Sequence, residues 1–342
     1  MVSHGGFRIN VLNPSGRDPA QDFSGSAETG GHAPVNFHAY AACTGGRFLR
    51  TVQSAVAERK PVLLLLRGDF RSSERALLTL KKARVPVAIS LKETGLHQIA
   101  RQLREHGKLR RFLRIAEAAD GCIAPTLEAA DFYRTLGGNN ARVAFIPTPY
   151  PLHEPRWDLS RPLGDRRGLI VGTREFDVPS RNHLVALMAA RQISAATGEP
   201  VTVYNCDGRR EERLLASLGF DSGQFEVRTR RDGYVEYLRV VAAHKIVFQL
   251  DTSFVPGQVA GDALLCRLPC VGGNGAIDRI AFPELCGPGR SNGELVEIAI
   301  GLMKDPKSYA DAVSQSQQRA SEHLSFAQGE RELEEFFRRV GS

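Results

Sequence analysis

The chain has no run of apolar residues approaching the ~18 that a membrane-crossing helix needs, so no span is expected. The longest candidate, residues 62–66, has the length of a buried strand. Aromatic residues are scarce, at 7%, and do not interleave with bases as RNA-recognition surfaces require; nucleic acid is therefore not an expected partner. The six cysteines are scattered, apart from Cys266 and Cys270, which stand one helical turn apart without His or Cys companions. Neither a disulfide framework nor a metal site is expected from them. No GxxxxGK[ST] phosphate loop occurs. Residues 273–278 read GxGxxD, ending in Asp278 where the dinucleotide fingerprint demands a third glycine, and they come late in the chain. The first six residues are polar and Gly-rich and do not read as a secretory signal, so a cytoplasmic chain with reduced thiols is the expectation.

What is present describes an ordinary globular protein. Apolar residues make up 42% and charged residues 24%, enough to build normal cores, and 342 residues suggest roughly two domains. A net charge of +7 favours anionic partners such as phosphates or acidic lipid.

Apolar runs alternate with helical patterns along most of the chain. A first strand over 7–12 breaks at Asn13-Pro14. Residues 14–31 form a long loop rich in Gly, Ser and Asp, and loops of that length are usually functional or mobile. Residues 35–43 fit either a strand or a helix, and a helical pattern covers 48–59. Strands are expected at 62–66, 85–91, 121–124 and 143–146, with helices at 72–84, 96–118 and 127–136. Gly107 is the candidate break in the long helix. Prolines at 149, 151, 155 and 162 mark residues 149–167 as an interdomain linker and hinge. The alternation then restarts, with strands at 168–171, 201–205, 225–229, 245–250 and 270–271. Alternation of this kind implies mainly parallel sheets, in which ligands sit at the C-terminal strand ends.

The strand-end loops therefore hold the candidates. Gly172, Thr173 and Arg174 follow a strand, and Arg181 opens the next helix. A glycine admits a phosphate to the backbone, a helix start adds donors, and guanidinium groups match phosphate geometry. In the first half, Arg67, Lys92 and His32 are candidates for acceptor binding, with His38 nearby in sequence. Asp69 or Glu93 could orient an acceptor hydroxyl or take its proton. Charged loop residues serve equally as caps and surface ion pairs, so both readings stay open. The helix at 96–118 carries Arg101, Arg104, Lys108, Arg111 and Arg114 at three- to four-residue spacing. Such a stripe is either a solvated face or a peripheral contact with anionic lipid on the inner membrane face.

Residues 256–272, PGQVAGDALLCRLPCVG, resemble the donor-site signature of the retaining, two-Rossmann-domain (GT-B) glycosyltransferases. In that family a glycine precedes a helix acid by five positions, and a proline follows the acid by seven. Gly257, Asp262 and Pro269 meet both spacings. Residues 118–126, 146–149 and 171–174 resemble further elements of the same family, and the likeness spans roughly 118–285. It implies an α/β fold of two doubly wound Rossmann-like domains facing each other across a cleft. The acceptor-side domain would be 1–155, with a C-terminal helix at 325–342 packing back on it, and the nucleotide-sugar domain 156–324. It further implies that Asp262 contacts the ribose, that Arg174 and Arg181 hold the diphosphate without a metal, and that the loop at Arg230 lies where the base is read. The chain departs from the pattern at Phe254, where the family has an acid; Asp251, three residues earlier, is the candidate substitute. The implied activity is transfer of a sugar from a nucleotide-diphosphate sugar to an acceptor hydroxyl, as in polysaccharide biosynthesis, with no cofactor. A nucleotide-sugar epimerase or phosphorylase on the same fold, and a non-catalytic nucleotide-sugar-binding protein, remain alternatives. The oligomeric state is left open.

Overall fold

Runs of consecutive apolar residues make the central strands of each sheet, because a strand covered on both faces has no solvent side to alternate with. The computed structural model describes residues 6–14, 16–25, 32–136, 140–172, 176–205, 209–220, 223–230 and 232–341. The chain divides into two units, Met1–Pro151 with Leu324–Ser342, and Leu152–His323.

In the first unit the elements are β1 (Asn10–Leu12), β2 (Gln21–Asp22), α1 (Phe37–Ala42), β3 (Arg47–Leu49), α2 (Val52–Glu58), β4 (Val62–Leu66), α3 (Arg71–Lys82), β5 (Val87–Leu91), α4 (Leu96–Leu103), α5 (His106–Ala118), β6 (Gly121–Ala124), α6 (Leu127–Arg134) and β7 (Val143–Phe145). Among the described residues the sheet order is β2-β3-β1-β4-β5-β6-β7, parallel throughout except for the edge strand β2. β4 shows how both faces are filled. Val62, Leu64 and Leu66 join one core cluster under α3 and α5, while Leu63 and Leu65 join the opposite cluster with Phe37, Tyr40 and Phe336. The last helix of the chain, Phe326–Gly341, supplies Leu333, Phe336 and Phe337 to that second cluster. Gly121 makes room for it: a Cβ there would stand 2.8 Å from the Phe336 ring.

One open reading is settled here and two expectations change. Residues 35–43 resolve as a helix, α1. The helical pattern over 48–59 divides into strand β3 and helix α2, with the extended Thr51 at the helix start. The long basic helix breaks at Arg104-Glu105, where Glu105 turns extended, and Gly107 lies inside α5. Its bases are also partly engaged. Arg111 and Arg114 both donate to Glu74 of α3, Arg111 donates to the Asp69 carbonyl at 2.7 Å, and Lys108 sits over the Phe70 ring. Two of the five bases are thus tied to Glu74, while Arg101, Arg104 and Arg114 remain exposed. No helix among the described residues is long and apolar enough to cross a membrane.

The second unit contains β8 (Leu169–Val171), α7 (His183–Thr197), β9 (Val201–Tyr204), α8 (Arg209–Ala216), β10 (Phe225–Arg228), α9 (Tyr234–Ala242), β11 (Ile246–Phe248), α10 (Gln258–Leu265), β12 (Cys270–Val271), α11 (Ala276–Ala281), α12 (Asn292–Lys304) and α13 (Pro306–His323). Its described sheet is parallel, in the order β10-β9-β8-β11-β12. The proline-rich stretch is packed rather than slack. Residues 152–167 belong to this unit, where Leu159 N–H donates to the Leu265 carbonyl at 3.0 Å and the buried Arg166 donates to the Cys266 carbonyl at 2.8 Å. Two turns, Pro155–Trp157 and Leu163–Asp165, use prolines at or beside their starts.

Candidate functional site

A doubly wound sheet opens a crevice where consecutive connections leave in opposite directions. In the second unit the chain goes from β8 to β9 and β10 on one side, then returns to β11 and β12 on the other. The loops leaving β8 and β11 therefore diverge, and in sequence every donor-side candidate except Arg230 and Asp262 falls at the end of β8 or β11 or before the helix that follows, Asp262 lying inside α10. Of the β8 loop, Gly172 is described, and Thr173 and Arg174 lie outside the described residues. Gly172 N–H donates to the Phe248 carbonyl at 2.9 Å, and a Cβ on Gly172 would overlap Val259 in the first turn of α10. The glycine thus lets the end of β8 and the start of α10 lie in contact.

Gly257 begins α10 with φ 93°, a left-handed conformation that costs a side-chain-bearing residue strain. The helix then presents first-turn amides that have no carbonyl partner within the helix, together with the positive end of its dipole. Beside it the two loops are stitched together. Thr252 N–H donates to the Ser180 carbonyl at 2.7 Å, Asn182 Nδ2 to the Leu250 carbonyl at 2.9 Å, and the Ser180 and Ser253 hydroxyls pair at 2.8 Å. Arg181 donates to Asp251, which also accepts from Ser253 N–H at 2.8 Å. The expected diphosphate arginine and the expected substitute acid are therefore each other's partners, and both brace this loop.

Asp262, expected at the ribose, lies in the second turn of α10. It is 2% exposed, and its carboxyl accepts from the Tyr234 hydroxyl at 2.5 Å and from Gln258. Burial pushes its pKa up to about 7. Arg230 is exposed on the loop after β10. Close by, the Tyr204 hydroxyl donates to Asp232 at 2.8 Å, with Arg228 over the Tyr204 ring. Phe254, at the family's acid position, adopts φ 50° and is partly exposed; its N–H donates to Asn274 Oδ1 at 3.0 Å and the Arg279 guanidinium lies over its ring.

The loop after β12 was not expected to take part. The carbonyls of Val255 and Pro256 accept from the amides of Ala276 and Ile277, at 2.9 and 3.0 Å, so the GxGxxD loop lies directly against the approach to α10. Its aspartate, Asp278, is buried beneath Gly257 and accepts from Gln249 Nε2 at 2.9 Å. The glycine spacing was the available signal; tested against a dinucleotide fingerprint it failed, because these glycines accommodate a carboxyl group.

In the first unit the corresponding crevice lies between the loops leaving β1 and β4. Asp18 organises it, a residue hidden in the expected long loop. Its carboxylate accepts from Asn13 Nδ2 at 2.8 Å and pairs with Lys92 at 3.0 Å. Partial burial alone would raise its pKa, but Lys92, His38 and Arg67 hold it below the ordinary value. His38 stacks between Phe48 and His32, with ring centroids 3.7 and 4.0 Å away, and donates from Nε2 to the Pro19 carbonyl. Burial first, then the neighbouring His32 and Lys92, drop His38 to about 4. The exposed His32 donates from Nδ1 to the Ala33 carbonyl at 2.8 Å. Lys92, Arg67 and His32 are thus gathered around Asp18 and His38. Asp69 and Glu93 are engaged locally instead: Asp69 accepts from Arg71 N–H at the start of α3 and pairs with that side chain, and Glu93 accepts from Gln98 at 3.3 Å. Among the described residues no group of three His, Cys, Asp or Glu side chains is placed to hold a metal ion.

Two Rossmann-like units of this kind make the fold that of the GT-B glycosyltransferases. No family model matches the chain, and no curated protein matches it in sequence. Among solved structures it is similar to HepE of Anabaena in complex with UDP and glucose, at 16% identity over 83% of this chain and 80% of that one, with a TM-score of 0.60. HepE with UDP-glucose gives 14% identity over 96% and 99%, and a TM-score of 0.55. TarM of S. aureus, in a complex that includes UDP, gives 10% identity over 87% and 58%, and a TM-score of 0.59. Likeness at these identities establishes the fold.

Proposed function

We propose that the chain transfers a sugar from a nucleotide-diphosphate sugar to an acceptor hydroxyl, with the donor diphosphate seated at the start of α10. The observation that carries this reading is the left-handed Gly257, which opens α10 where the loops leaving β8 and β11 diverge. Backbone amides and a helix dipole at that point suit a diphosphate. The fold adds support, since HepE and TarM on the same architecture hold UDP or UDP-glucose, which makes uridine donors the first to test. As the glycosidic bond breaks, negative charge grows on the leaving diphosphate. The α10 amides and Arg174, the latter assigned by sequence alone, stabilise that charge without a metal ion, so turnover is expected to survive chelation by EDTA. The strand-end cluster of Lys92, Arg67 and His32 in the first unit is the candidate acceptor surface, for a glycan or similar polyol.

A thermal-shift panel of nucleoside diphosphates and nucleotide-sugars, UDP-glucose first, tests the reading. A ligand at 100 times its Kd adds about 2.7 kcal/mol, a shift of a few degrees in a protein of this size. Stabilisation followed by release of UDP in the presence of an acceptor supports transfer. Stabilisation without any turnover assigns a binding protein, and a flat panel removes the donor site.

A further inference from the structure

The aspartate that spoils the GxGxxD fingerprint lies at the centre of the glycine loops. Asp278 is 2% exposed. A Cβ on Gly275 or Gly257 would fall 2.6 or 2.8 Å from its Oδ2, and a Cβ on Gly273 would overlap Oδ1. Glycines from two separate loops therefore close on one carboxyl group, and a larger residue at any of the three positions would collide with it. Oδ1 accepts from Gln249 at 2.9 Å and lies 3.7 Å from Cys270 Sγ, and the carboxyl also meets its own backbone amide. The titratable groups that act on it are Asp251 from the loop after β11, Cys270 from β12 and Cys286 from the segment after α11, with Asp262 of α10 acting on Cys270 in turn. Arg279, next on its own helix, lies over the Phe254 ring and reaches the Gly275 carbonyl. No cation among the described residues pairs with Asp278.

We propose that Asp278 is a positioning residue of the donor-phosphate loop, holding the glycine start of α10 from beneath and taking up one proton from solvent when a nucleotide-diphosphate sugar binds there. The inference rests on the donor site assigned above. A buried carboxylate without a cation is costly, and adding a proton to one of its oxygens gives the neutral acid and removes that cost. Burial and the Asp251 field place this titration at about 7, within reach of experiment. A diphosphate arriving on the other side of Gly257 brings further negative charge and draws the proton on. The coupling is reciprocal, so loss of the proton at higher pH weakens donor binding by the same factor.

The test is isothermal titration of the full chain with UDP-glucose, ADP-glucose and GDP-mannose between pH 6.5 and 8.5, in phosphate and Tris buffers of different ionisation enthalpy. Nucleotide-sugars are pyrophosphate diesters with no phosphate titration in this window, so any proton taken up goes to the protein. The wild type is expected to take up close to one proton at pH 8, with Kd rising toward tenfold per pH unit above about 7.5. Asp278→Asn keeps the shape and fixes the neutral state; its uptake is expected to fall below half a proton and its Kd to stay within about threefold. Asp262→Asn, the other buried acid, is expected to keep the pH slope. A wild type that binds a probe without proton uptake overturns the inference even if the Asn variant does not fold, and so does an Asn variant with an unchanged slope. Either result leaves the donor site standing. Failure of every probe to bind at any pH removes the donor site and this inference together.

Discussion

At the strand ends of the first unit the groups are charged and paired, with Asp18 held as a carboxylate by Lys92 and Asn13 and with Arg67 and His38 contributing to its field. In the second unit Asp251 pairs with Arg181, but two further acids are buried with no cation paired to them among the described residues: burial pushes Asp262 and Asp278 each up to about 7. Both sheets are mainly parallel and doubly wound, so the backbone does not account for the contrast. A surface that receives a polar acceptor works with fixed charges in water. A loop that receives a diphosphate works better with amides and neutral groups close behind it, because a carboxylate there would repel the ligand.

The largest effect that would sharpen this contrast is on chemistry. Arg174→Ala is expected to lower kcat by about 10²–10³, the usual loss for one preorganised donor to a developing charge, with folding intact. Unchanged turnover would take Arg174 out of the mechanism and leave the α10 amides to act alone. Next comes the backbone. Gly257→Ala places a side chain at φ 93° and a Cβ 2.8 Å from the Asp278 carboxyl, at a cost of about 1–3 kcal/mol. A lower Tm together with weaker donor binding is the expected outcome; a wild-type Tm would show that the glycine is not required.

The positions these predictions use were unevenly legible in the sequence. The strands expected at 62–66 and 85–91, the second found at 87–91, and the Gly257 helix start follow from apolar runs and glycine spacing, which are local signals. Strand β3 was absorbed into a helix because three residues are too few to show a period of two. Asp18 and Asp278 were passed over because their partners stand far away in sequence: Lys92 for the first, Gly257 and Gln249 for the second. The proline-rich stretch gave a composition typical of a linker and does hold the boundary between the units, after Pro151, but Arg166 and Leu159 bind its later part to carbonyls about a hundred residues on. Local patterns report elements, whereas which charge meets which is settled by the fold.

The pH dependence of stability separates the two units further. Asp262 and Asp278 have folded-state values raised well above the ordinary carboxyl value, so their contribution is complete below about pH 4 and is lost as pH rises through about 7. His38, lowered to about 4, acts in the opposite sense, and its contribution is lost as pH falls from 6.5 toward 4. Thermal melts should therefore show Asp278→Asn gaining on the wild type as pH rises from 5 to 8, and His38→Gln gaining on it as pH falls from 7 to 4. Parallel curves for all three proteins would remove the contrast. The smallest effect is expected at the Asp18–Lys92 pair, which is partly exposed. Lys92→Met should cost about 1 kcal/mol or less in Tm-derived stability while weakening an anionic or polyol acceptor.

The most direct measurement is amide hydrogen exchange of the full chain with and without saturating nucleotide-sugar. If the diphosphate seats at the glycine start of α10, protection rises first at residues 257–261 and along the loops leaving β8 and β11, while the strand ends of the first unit change little until acceptor is added. Protection confined to the first unit, or none at residues 257–261 under conditions where binding is saturated, contradicts the donor site.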